Sequence, residues 1–245
     1  DGKLYLAIGA PGFQETLGET TWAQDPDHHG GKILRLNDDG TTPADNPFVD
    51  RPGYRPEIFA LGIRNAIGMA FHPETGQLWE TENGPQGGDE INIIRAGLNY
   101  GWPVVTYGRA YSSDPEGARS GLPPPTIQPP TAAPGMEEPF TYYKPSIAIA
   151  GMTFYTGSMF PEKYRGAIFS AQHGSWNRTT PVGARVMVTY VAEDGSATTE
   201  PFAEGWIDEN DEYLGRPVDV AQLRDGSLLV SDDLAGAVYR ISYGE

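Results

Sequence analysis

The chain has 245 residues, of which 33 are acidic and 17 basic, giving a formal net charge of −16, and it contains no cysteine. This acidic balance argues against a nucleic-acid partner, because binding to phosphates requires a basic surface. The absence of cysteine excludes disulfides and thiolate metal sites. No apolar run reaches the roughly 18 residues of a membrane-spanning helix.

Short strands that follow glycine turns are the predicted elements. The chain is rich in turn formers, with 31 glycines and 22 prolines, and helical periodicity is nearly absent. Turn-strand units recur around Gly2, Gly76, Gly166 and Gly226, and further strand candidates are residues 32–36, 152–155, 185–191 and 237–242. Radially repeated four-stranded sheets have this pattern. We predict one all-β domain over residues 1–245 and identify it as a β-propeller. The alternative, a two-sheet sandwich, usually has shorter and more even connections between its strands than this chain has.

The first long loop, residues 13–30, is polar and contains the adjacent histidines His28 and His29. Successive residues on a strand point to opposite faces, so we expect a surface loop here rather than a metal site. His72 lies at a turn before a strand, where a structural role is expected.

Arg64 and Asn65 lie in the stretch LGIRNAIG, residues 61–68. Arg64 offers a planar fork of donors for carboxylates and polarised carbonyls, and Asn65 can both donate and accept. The pair is predicted to be an anion or carbonyl clamp. The alternative is that Arg64 pairs with a nearby acid.

The turn ENGPQGGDE, residues 82–90, follows closely. Its small residues allow the backbone oxygens of Gly84 and Pro85 to turn inward, and Asp89 and Glu90 add anionic oxygens. Oxygen-only ligand sets of this kind suit calcium. The alternative is that the glycines only make a tight turn, but the proximity of both motifs favours a functional site.

Beyond these motifs, residues 108–138 form an excursion without regular pattern. Its core, LPPPTIQPP over residues 122–130, cannot supply hydrogen-bond donors to a sheet. We expect an ordered or semi-rigid loop that borders a substrate mouth. Near the C-terminus, Asp232 and Asp233 precede a glycine turn and indicate a hairpin rather than a metal site.

The span 30–107, with GIRNAIG, ENGPQGGDEIN and NYGWP, is similar to the glucose/sorbosone dehydrogenase family. These are soluble, pyrroloquinoline-quinone-dependent sugar dehydrogenases built as six-bladed β-propellers. HGSWNR at 173–178, GRP at 215–217 and DGSLLVSDD at 225–233 resemble the sorbosone-dehydrogenase branch. Since the repeats account for roughly four or five blades, the resemblance implies that the first blades lie outside this chain, which corresponds to the C-terminal two-thirds.

The resemblance implies a set of cofactor and metal residues. Calcium would bind the backbone oxygens of Gly84 and Pro85, and Arg64 with Asn65 would face the reactive edge of the quinone. Arg216 matches an arginine that the family uses on the quinone carboxylates, and Arg178 is a further candidate for a carboxylate. Tyr143 and Lys144 could stack on and pair with the quinone, or Tyr143 could serve ordinary blade packing.

A second, structural calcium is implied at Asp89, Glu90 and Tyr100. Three positions depart from the family pattern: Ala10 stands where an aspartate is usual, Val218 replaces a second arginine, and residues 173–178 lack a lysine.

The implied function is oxidation of an aldose sugar or sugar aldehyde by hydride transfer to calcium-bound quinone. An external electron acceptor would follow, and the location would be periplasmic or secreted. None of His28, His29, His72 and His173 matches the family's base motif, so no catalytic base is assigned. The chain is either part of an active enzyme or a truncation without turnover.

A competing hypothesis is a catalytically inactive, calcium-stabilised propeller that binds carbohydrate or protein. Arg64, Asn65 and Arg216 favour the cofactor site, whereas Ala10 and Val218 favour the binding module. A calcium-dependent lactonase or esterase needs acids and histidines around a central metal, and the Arg64–Asn65 clamp argues against it.

Overall fold

The computed structural model describes residues 1–10, 20–84, 88–103, 105–106, 109–110, 135–143, 147–176 and 178–244. Their regular structure is β-strand, apart from short 3₁₀ turns such as Thr20–Ala23 and Glu162–Tyr164. In these residues no helix has the length and apolar character needed to cross a membrane. Two compact units are formed, Asp1–Ala66 with Ile94–Pro139, and Ile67–Ile93 with Phe140–Glu245.

The first unit contains an antiparallel sheet in the order β1-β2-β3. Its strands are β1 (Leu4–Ile8), β2 (Lys32–Leu36) and β3 (Ile58–Leu61). The central strand β2 is the most buried, and Leu34 packs with Phe48, Ile58 and Leu61 in one apolar cluster. A short antiparallel pair, β7 (Val105–Thr106) and β8 (Arg109–Ala110), lies later in this unit.

The second unit contains three antiparallel sheets, each with neighbouring strands in near-sequential order. The second sheet comprises β4 (Ala66–Phe71), β5 (Leu78–Glu82), β6 (Asp89–Ile94) and β9 (Thr141–Tyr143). The third comprises β10 (Ile149–Phe154), β11 (Ile168–Gln172), β12 (Arg185–Val191) and β13 (Ala197–Ala203). The fourth comprises β14 (Pro217–Gln222), β15 (Leu228–Asp232) and β16 (Ala237–Ile241).

Apolar clusters join these three sheets face to face. Trp79 and Ile91 of the second sheet pack with β10 and β11 residues of the third, and Val186 of the third shares a cluster with Val220 and Val230 of the fourth. Burial of such side chains stabilises packed sheets by roughly 25 cal/mol per Å² of apolar area. The second unit therefore has one apolar cluster between its second and third sheets and another between its third and fourth.

Glycines allow the first strands of successive sheets to approach each other closely. A Cβ on Gly68 of β4 would lie 2.7 Å from the carbonyl oxygen of Ala150 in β10. A Cβ on Gly151 of β10 would lie 1.8 Å from a carboxylate oxygen of Asp219 in β14. The first strands of the three sheets are therefore neighbours at positions where only glycine fits.

Each predicted strand overlaps an observed one, whereas several observed strands were not predicted, among them β3, β4, β6, β9, β13 and β14. The predictions at 32–36 and 185–191 coincide with β2 and β12, while β10 begins three residues before the predicted 152–155 and β16 ends one residue before 242. The turn glycines of the repeat all adopt positive φ, at 72°, 68°, 78° and 87° for Gly2, Gly76, Gly166 and Gly226. Most of the proline-rich excursion, residues 111–134, lies outside the described residues.

Candidate functional site

Arg64 lies in the connection between β3 and β4, and its backbone is fixed. Its carbonyl oxygen accepts a hydrogen bond of 2.7 Å from the Ala10 amide, and the preceding Ile63 amide donates to Gly31 across 3.1 Å. The half-buried side chain places its guanidinium carbon 5.5 Å from the ring centroid of Trp102. A cation in this position is held by the aromatic face.

The NYGWP segment supplies that aromatic ring because its backbone is bound to the end of β3. The Tyr100 amide donates to Leu61 across 2.8 Å, and the Trp102 amide donates to Gly62 across 2.9 Å. Gly62 has φ +77°, and a Cβ there would lie 2.2 Å from the Asn99 side-chain oxygen. The close approach therefore depends on glycine.

Asn65 is the second member of the predicted clamp. It is half-buried, and a Cβ added to Gly9 would lie 3.2 Å from its side-chain oxygen. Gly9 therefore leaves room for the amide beside the end of β1. Arg64 and Asn65 together present a cation, two kinds of donor and one acceptor from a single fixed turn.

In the second unit, the Asp89 side chain is fully buried at the start of β6. Its Oδ1 accepts from the Gly84 amide at 2.9 Å, and its Oδ2 accepts from the amides of Ile147 and Ile149 at 2.9 and 3.1 Å. This carboxylate therefore ties the predicted calcium turn to the entry of β10. Metal coordination by Asp89 and Gly84 remains a prediction, and Pro85 lies outside the described residues.

Glu90 belongs to a buried acidic pair. The Asn92 amide group bridges Glu80 Oε1 at 2.8 Å and Glu90 Oε2 at 3.2 Å. Burial raises the pKa of Glu80 to about 8, the Asn92 hydrogen bond opposes this, and the charge of Glu90 adds to it. Among the described residues, Glu80 Oε2 has no hydrogen-bond partner.

In the described residues no group of three or more histidines and acids has metal-binding geometry. A calcium ion beside Glu90 would therefore need backbone oxygens as further ligands. Tyr100, the third predicted ligand, is buried in the other unit, where its hydroxyl accepts from the Arg95 amide at 2.9 Å. The second calcium site remains a prediction.

Arg216, just before β14, binds the loop that follows β11. Its Nε donates to the carbonyl oxygen of His173 at 3.1 Å, and its Nη2 donates to those of Gly174 and Ser175 at 3.1 and 2.6 Å. Its guanidinium carbon also lies 4.5 Å from the ring centroid of Tyr213. Among the described residues Nη1 has no hydrogen-bond partner, so the predicted contact with a cofactor carboxylate would use that nitrogen.

The same loop is bound on its other side to the entry of β10. The amides of His173 and Gly174 donate to Ala148 and Ile147 at 2.9 and 2.8 Å. Since Ile147 also donates to Asp89, one path of hydrogen bonds links Asp89, Ile147, Gly174 and Arg216. The structure thus brings the predicted Gly84–Asp89 turn, the HGS segment and Arg216 to the same end of three sheets.

Tyr143 uses its side chain in packing. Its ring contacts the apolar cluster around Trp79, and its hydroxyl lies 3.2 Å from Thr189 Oγ1. It also lines a cavity of about 370 Å³ together with Arg185, Glu204 and residues 181–184. These contacts support the packing alternative for Tyr143. Lys144 lies outside the described residues.

Arg178, in contrast, is exposed, and no hydrogen bond or ion pair joins it to another described residue. Its side chain is therefore open to solvent. Its role toward a cofactor carboxylate remains a prediction.

Three of the histidines have structural partners. His28 stacks on Trp22 with centroids 4.5 Å apart, and His29 hydrogen-bonds Glu57. His72 Nδ1 accepts from two amides of its own turn, 3.2 and 3.3 Å away.

His173 has a partner that the sequence did not predict. Its Nε2 lies 3.0 and 3.2 Å from the two carboxylate oxygens of Asp233. The sequence indicated only a hairpin at Asp232–Asp233, and no local signal joins residues 60 positions apart.

Comparisons with known proteins identify the family of the chain. The family model described as glucose/sorbosone dehydrogenase matches residues 1–240. Aldose sugar dehydrogenase YliI of Escherichia coli is 44% identical over 164 residues, which cover 66% of this chain and 40% of that protein. Quinoprotein glucose dehydrogenase B of Acinetobacter calcoaceticus is 42% identical over 118 residues, covering 43% of this chain and 24% of that protein.

A solved glucose dehydrogenase structure superimposes on the whole chain with a TM-score of 0.76 and 31% sequence identity. The match covers 100% of this chain and 61% of the solved one. This similarity confirms the predicted all-β fold of the β-propeller type. The chain spans less than two thirds of the length of each of these relatives.

Proposed function

The chain belongs to the glucose/sorbosone dehydrogenase family, and we propose that it is part of a quinoprotein oxidoreductase that oxidises an aldose sugar or sugar aldehyde. In this proposal the substrate transfers a hydride to pyrroloquinoline quinone that is bound with calcium. An external acceptor then takes the electrons, and the protein is periplasmic or secreted.

The hydrogen-bond path from Asp89 through Ile147 and Gly174 to Arg216 is the observation that carries the proposal. It connects three segments that sequence similarity assigned to one cofactor site, although they lie far apart in the chain. A preorganised site needs such supporting hydrogen bonds, because ligand-binding groups must keep their geometry before the ligand arrives. The path supports a common binding face on the second unit.

The arginine and carboxylate side chains of the chain fit the two proposed ligands, pyrroloquinoline quinone and calcium. Arg64 and Arg216 are each oriented by an aromatic ring, Trp102 and Tyr213, and guanidinium groups suit the carboxylates of a planar anionic ligand. Glu80 Oε2 is buried beside Glu90 and has no hydrogen-bond partner in the part of the chain that the structure describes, which supports the proposed second calcium. When bound, the quinone supplies a hydride acceptor and calcium supplies Lewis-acid polarisation.

The chain's own residues would hold and polarise the ligand. Arg64 would stabilise negative charge that develops at the edge facing it, and Asn65 would donate or accept a hydrogen bond at the same edge. Arg178 and Nη1 of Arg216 would bind carboxylates, and Gly84 with Pro85 would offer carbonyl oxygens to the metal. Asp89 keeps the Gly84 turn in place. Proton removal from the sugar is assigned to no residue of this chain.

The second candidate, an inactive calcium-stabilised binding propeller, is favoured by one specific observation. Nε and Nη2 of Arg216 and both oxygens of Asp89 are already bonded to backbone groups. Residues kept for structure alone would have the same contacts. Measurements of quinone binding and of catalytic turnover distinguish the two candidates.

The test is reconstitution of the protein at its full natural length with pyrroloquinoline quinone and calcium. We expect a shifted quinone absorption, a raised melting temperature and aldose-dependent reduction of a redox dye. Omission of calcium, or addition of a chelator, should remove the dye reduction. Absence of both the absorption shift and the rise in melting temperature would reject the oxidoreductase and leave the binding module.

A further inference from the structure

Gln24, in the loop before β2, connects that loop to the segment that carries Trp102. Its Nε2 donates to the carbonyl oxygen of Trp102 at 2.6 Å and to Asn99 Oδ1 at 3.0 Å. Asn99 Nδ2 donates back to Gln24 Oε1 at 2.7 Å. The two side-chain amides therefore form a reciprocal pair inside the first compact unit, although they lie 75 positions apart in the sequence.

Backbone groups determine the orientation of both amides. A carbonyl oxygen only accepts, so Gln24 must present its NH₂ group to Trp102. A backbone amide only donates, so Asn99 must present its oxygen to the Gly101 amide, which lies 2.9 Å away. In these orientations the remaining atoms of the two amides meet as donor and acceptor. A carboxylate at position 24 would instead place an oxygen against the Trp102 carbonyl oxygen.

The loop that carries Gln24 is held by a buried cation. Lys32 Nζ donates to the carbonyl oxygens of Trp22 and Ala23, which are 2.6 and 3.0 Å away. The Ala23 carbonyl oxygen also accepts from the Gly62 amide at 3.0 Å. The residue before Gln24 is thus tied both to β2 and to the connection after β3, so the Gln24 side chain extends from a fixed backbone.

These contacts surround the turn that presents Arg64. The Trp102 amide donates to the carbonyl oxygen of Gly62 at 2.9 Å, and the Trp102 carbonyl oxygen accepts from Gln24. Both backbone polar groups of Trp102 are therefore held. Its indole contacts the Arg64 guanidinium, whose carbon lies 5.5 Å from the ring centroid. Loss of the Gln24 bond would allow the indole to shift relative to the cation.

We propose that Gln24 is a positioning residue for Arg64 and acts through Trp102. The Gln24–Asn99 pair keeps the indole beside the guanidinium, so that the cation is in place before a ligand arrives. Its effect on binding of pyrroloquinoline quinone rests on the proposed function. The dependence of the Arg64–Trp102 contact on Gln24 requires no quinone, so it is measurable in the free protein.

The first measurement is fluorine NMR of the full natural-length protein labelled with fluorotryptophan, without quinone. The resonance that disappears in Trp102→Phe belongs to Trp102. Arg64→Ala should shift this resonance, because the cation leaves the ring. In Gln24→Met, which keeps the length of the side chain but has no amide, Arg64→Ala should cause at most about half that shift. Equal shifts in the two backgrounds would overturn the proposal.

The second measurement is quinone affinity in the presence of calcium. Gln24→Met should weaken binding by about tenfold, the scale of loss when a supporting contact behind a ligand-binding group is removed. In the Arg64→Ala background the same substitution should cause no further loss, because Gln24 acts through Arg64. A purely structural role would change melting temperature without this dependence on Arg64.

Gln222→Met is the matched control. Gln222 is also half-buried, and its side-chain oxygen accepts from the amides of Thr156 and Gly157 at 2.7 and 3.0 Å. This variant should lose stability but keep wild-type quinone affinity. A tenfold loss of affinity in Gln222→Met as well would mean that general destabilisation, rather than positioning, explains the effect of Gln24→Met.

Melting temperature identifies a variant that fails to fold. Gln24→Glu, which keeps the side-chain length and an acceptor for Asn99, then replaces Gln24→Met in both measurements. If the resonance shifts depend on Gln24 but the wild type binds no quinone, the positioning role stands and the proposed function falls. If the wild type and Gln24→Met bind quinone equally well, the proposed function stands and the positioning role falls.

Discussion

Arg216 donates a 2.6 Å hydrogen bond to the carbonyl oxygen of Ser175, so a side chain at the entry of the fourth sheet holds the loop that leaves the third. Arg216 donates two further hydrogen bonds to the same loop, and its guanidinium also contacts the Tyr213 ring. An arginine that sequence similarity assigned to a cofactor is thus also part of the scaffold. Its replacement should have two separable effects.

The first prediction concerns Arg216. Arg216→Ala removes three hydrogen bonds that a charged donor makes, and the carbonyl oxygens of residues 173–175 lose this donor. The free energy of unfolding should therefore fall by about 2–4 kcal/mol. Arg216→Lys should recover only part of this, because an ammonium lacks the planar fork. Urea unfolding measures the change, with exposed Arg165→Ala as the control. Equal stability of Arg216→Ala and wild type would refute the scaffold role.

The second prediction concerns Gly62, on which the position of Trp102 depends. Gly62→Ala places a Cβ 2.2 Å from Asn99 Oδ1 and 2.6 Å from the Gly101 amide, so the NYGWP segment must move. Gly53→Ala is a matched control, since Gly53 also has positive φ, at 81°, but no atom of the described residues lies within 4 Å of the added Cβ. Gly62→Ala should lower the melting temperature more than Gly53→Ala and should also weaken quinone binding. Identical behaviour of the two variants would show that the close approach has no consequence.

The third prediction concerns Asp89. Asp89→Asn keeps the size of the side chain but presents an NH₂ group to amides that need acceptors. We expect a loss of about 2–4 kcal/mol in the free energy of unfolding. Exposed Asp50→Asn removes the same charge and serves as control. If Asp89→Asn changed calcium affinity without changing stability in a chelator, its carboxylate would be a metal ligand rather than a backbone clamp.

The fourth prediction is a pH dependence due to Lys32. Its side chain is fully buried, and its Nζ donates to the carbonyl oxygens of Trp22, Ala23 and Gly30. Burial lowers the pKa of Lys32 to about 8, with Asp25 opposing the shift. Below pH 8 the lysine is protonated in both states. Between pH 8 and about 10.5 mainly the unfolded state keeps the proton, so stability rises with pH.

Comparison of wild type with Lys32→Met isolates this effect, because other titrating groups are common to both. From pH 8 to 10.5 the difference in free energy of unfolding should change by about 2–3 kcal/mol in favour of wild type. Chemical denaturation at a series of pH values measures it. A difference independent of pH would mean that the carbonyl oxygens keep Lys32 charged in the folded state.

The local elements were accessible from sequence because their signals are local. The alternation in RVMVTYV fixes β12, and the turn glycines require positive φ wherever a side chain would be strained. The Arg64–Trp102 contact lies between LGIRNAIG and NYGWP, two segments that both carry the family resemblance in the sequence. These features depend on periods, turns and short motifs.

The partners of the polar residues were not accessible. Asp89 accepts from Ile147, 58 positions away, and His173 meets Asp233 only because β11 and β15 end beside each other. For Tyr143 the sequence left two alternatives open, and its contacts with the apolar cluster around Trp79 and with Thr189 support packing. Such pairings depend on how sheets pack, which a residue pattern along one chain does not encode.

The central claim is that this chain carries a calcium-dependent quinone site clamped by Arg64. The most direct measurement is a spectroscopic titration of the full natural-length protein and of Arg64→Ala with pyrroloquinoline quinone, with and without calcium. The account predicts saturable, calcium-dependent binding by the wild type and a loss of affinity of 100-fold or so in Arg64→Ala, about 2.7 kcal/mol, at an unchanged melting temperature of the free protein. Equal quinone affinity in the two proteins, or no saturable binding by the wild type, would contradict it.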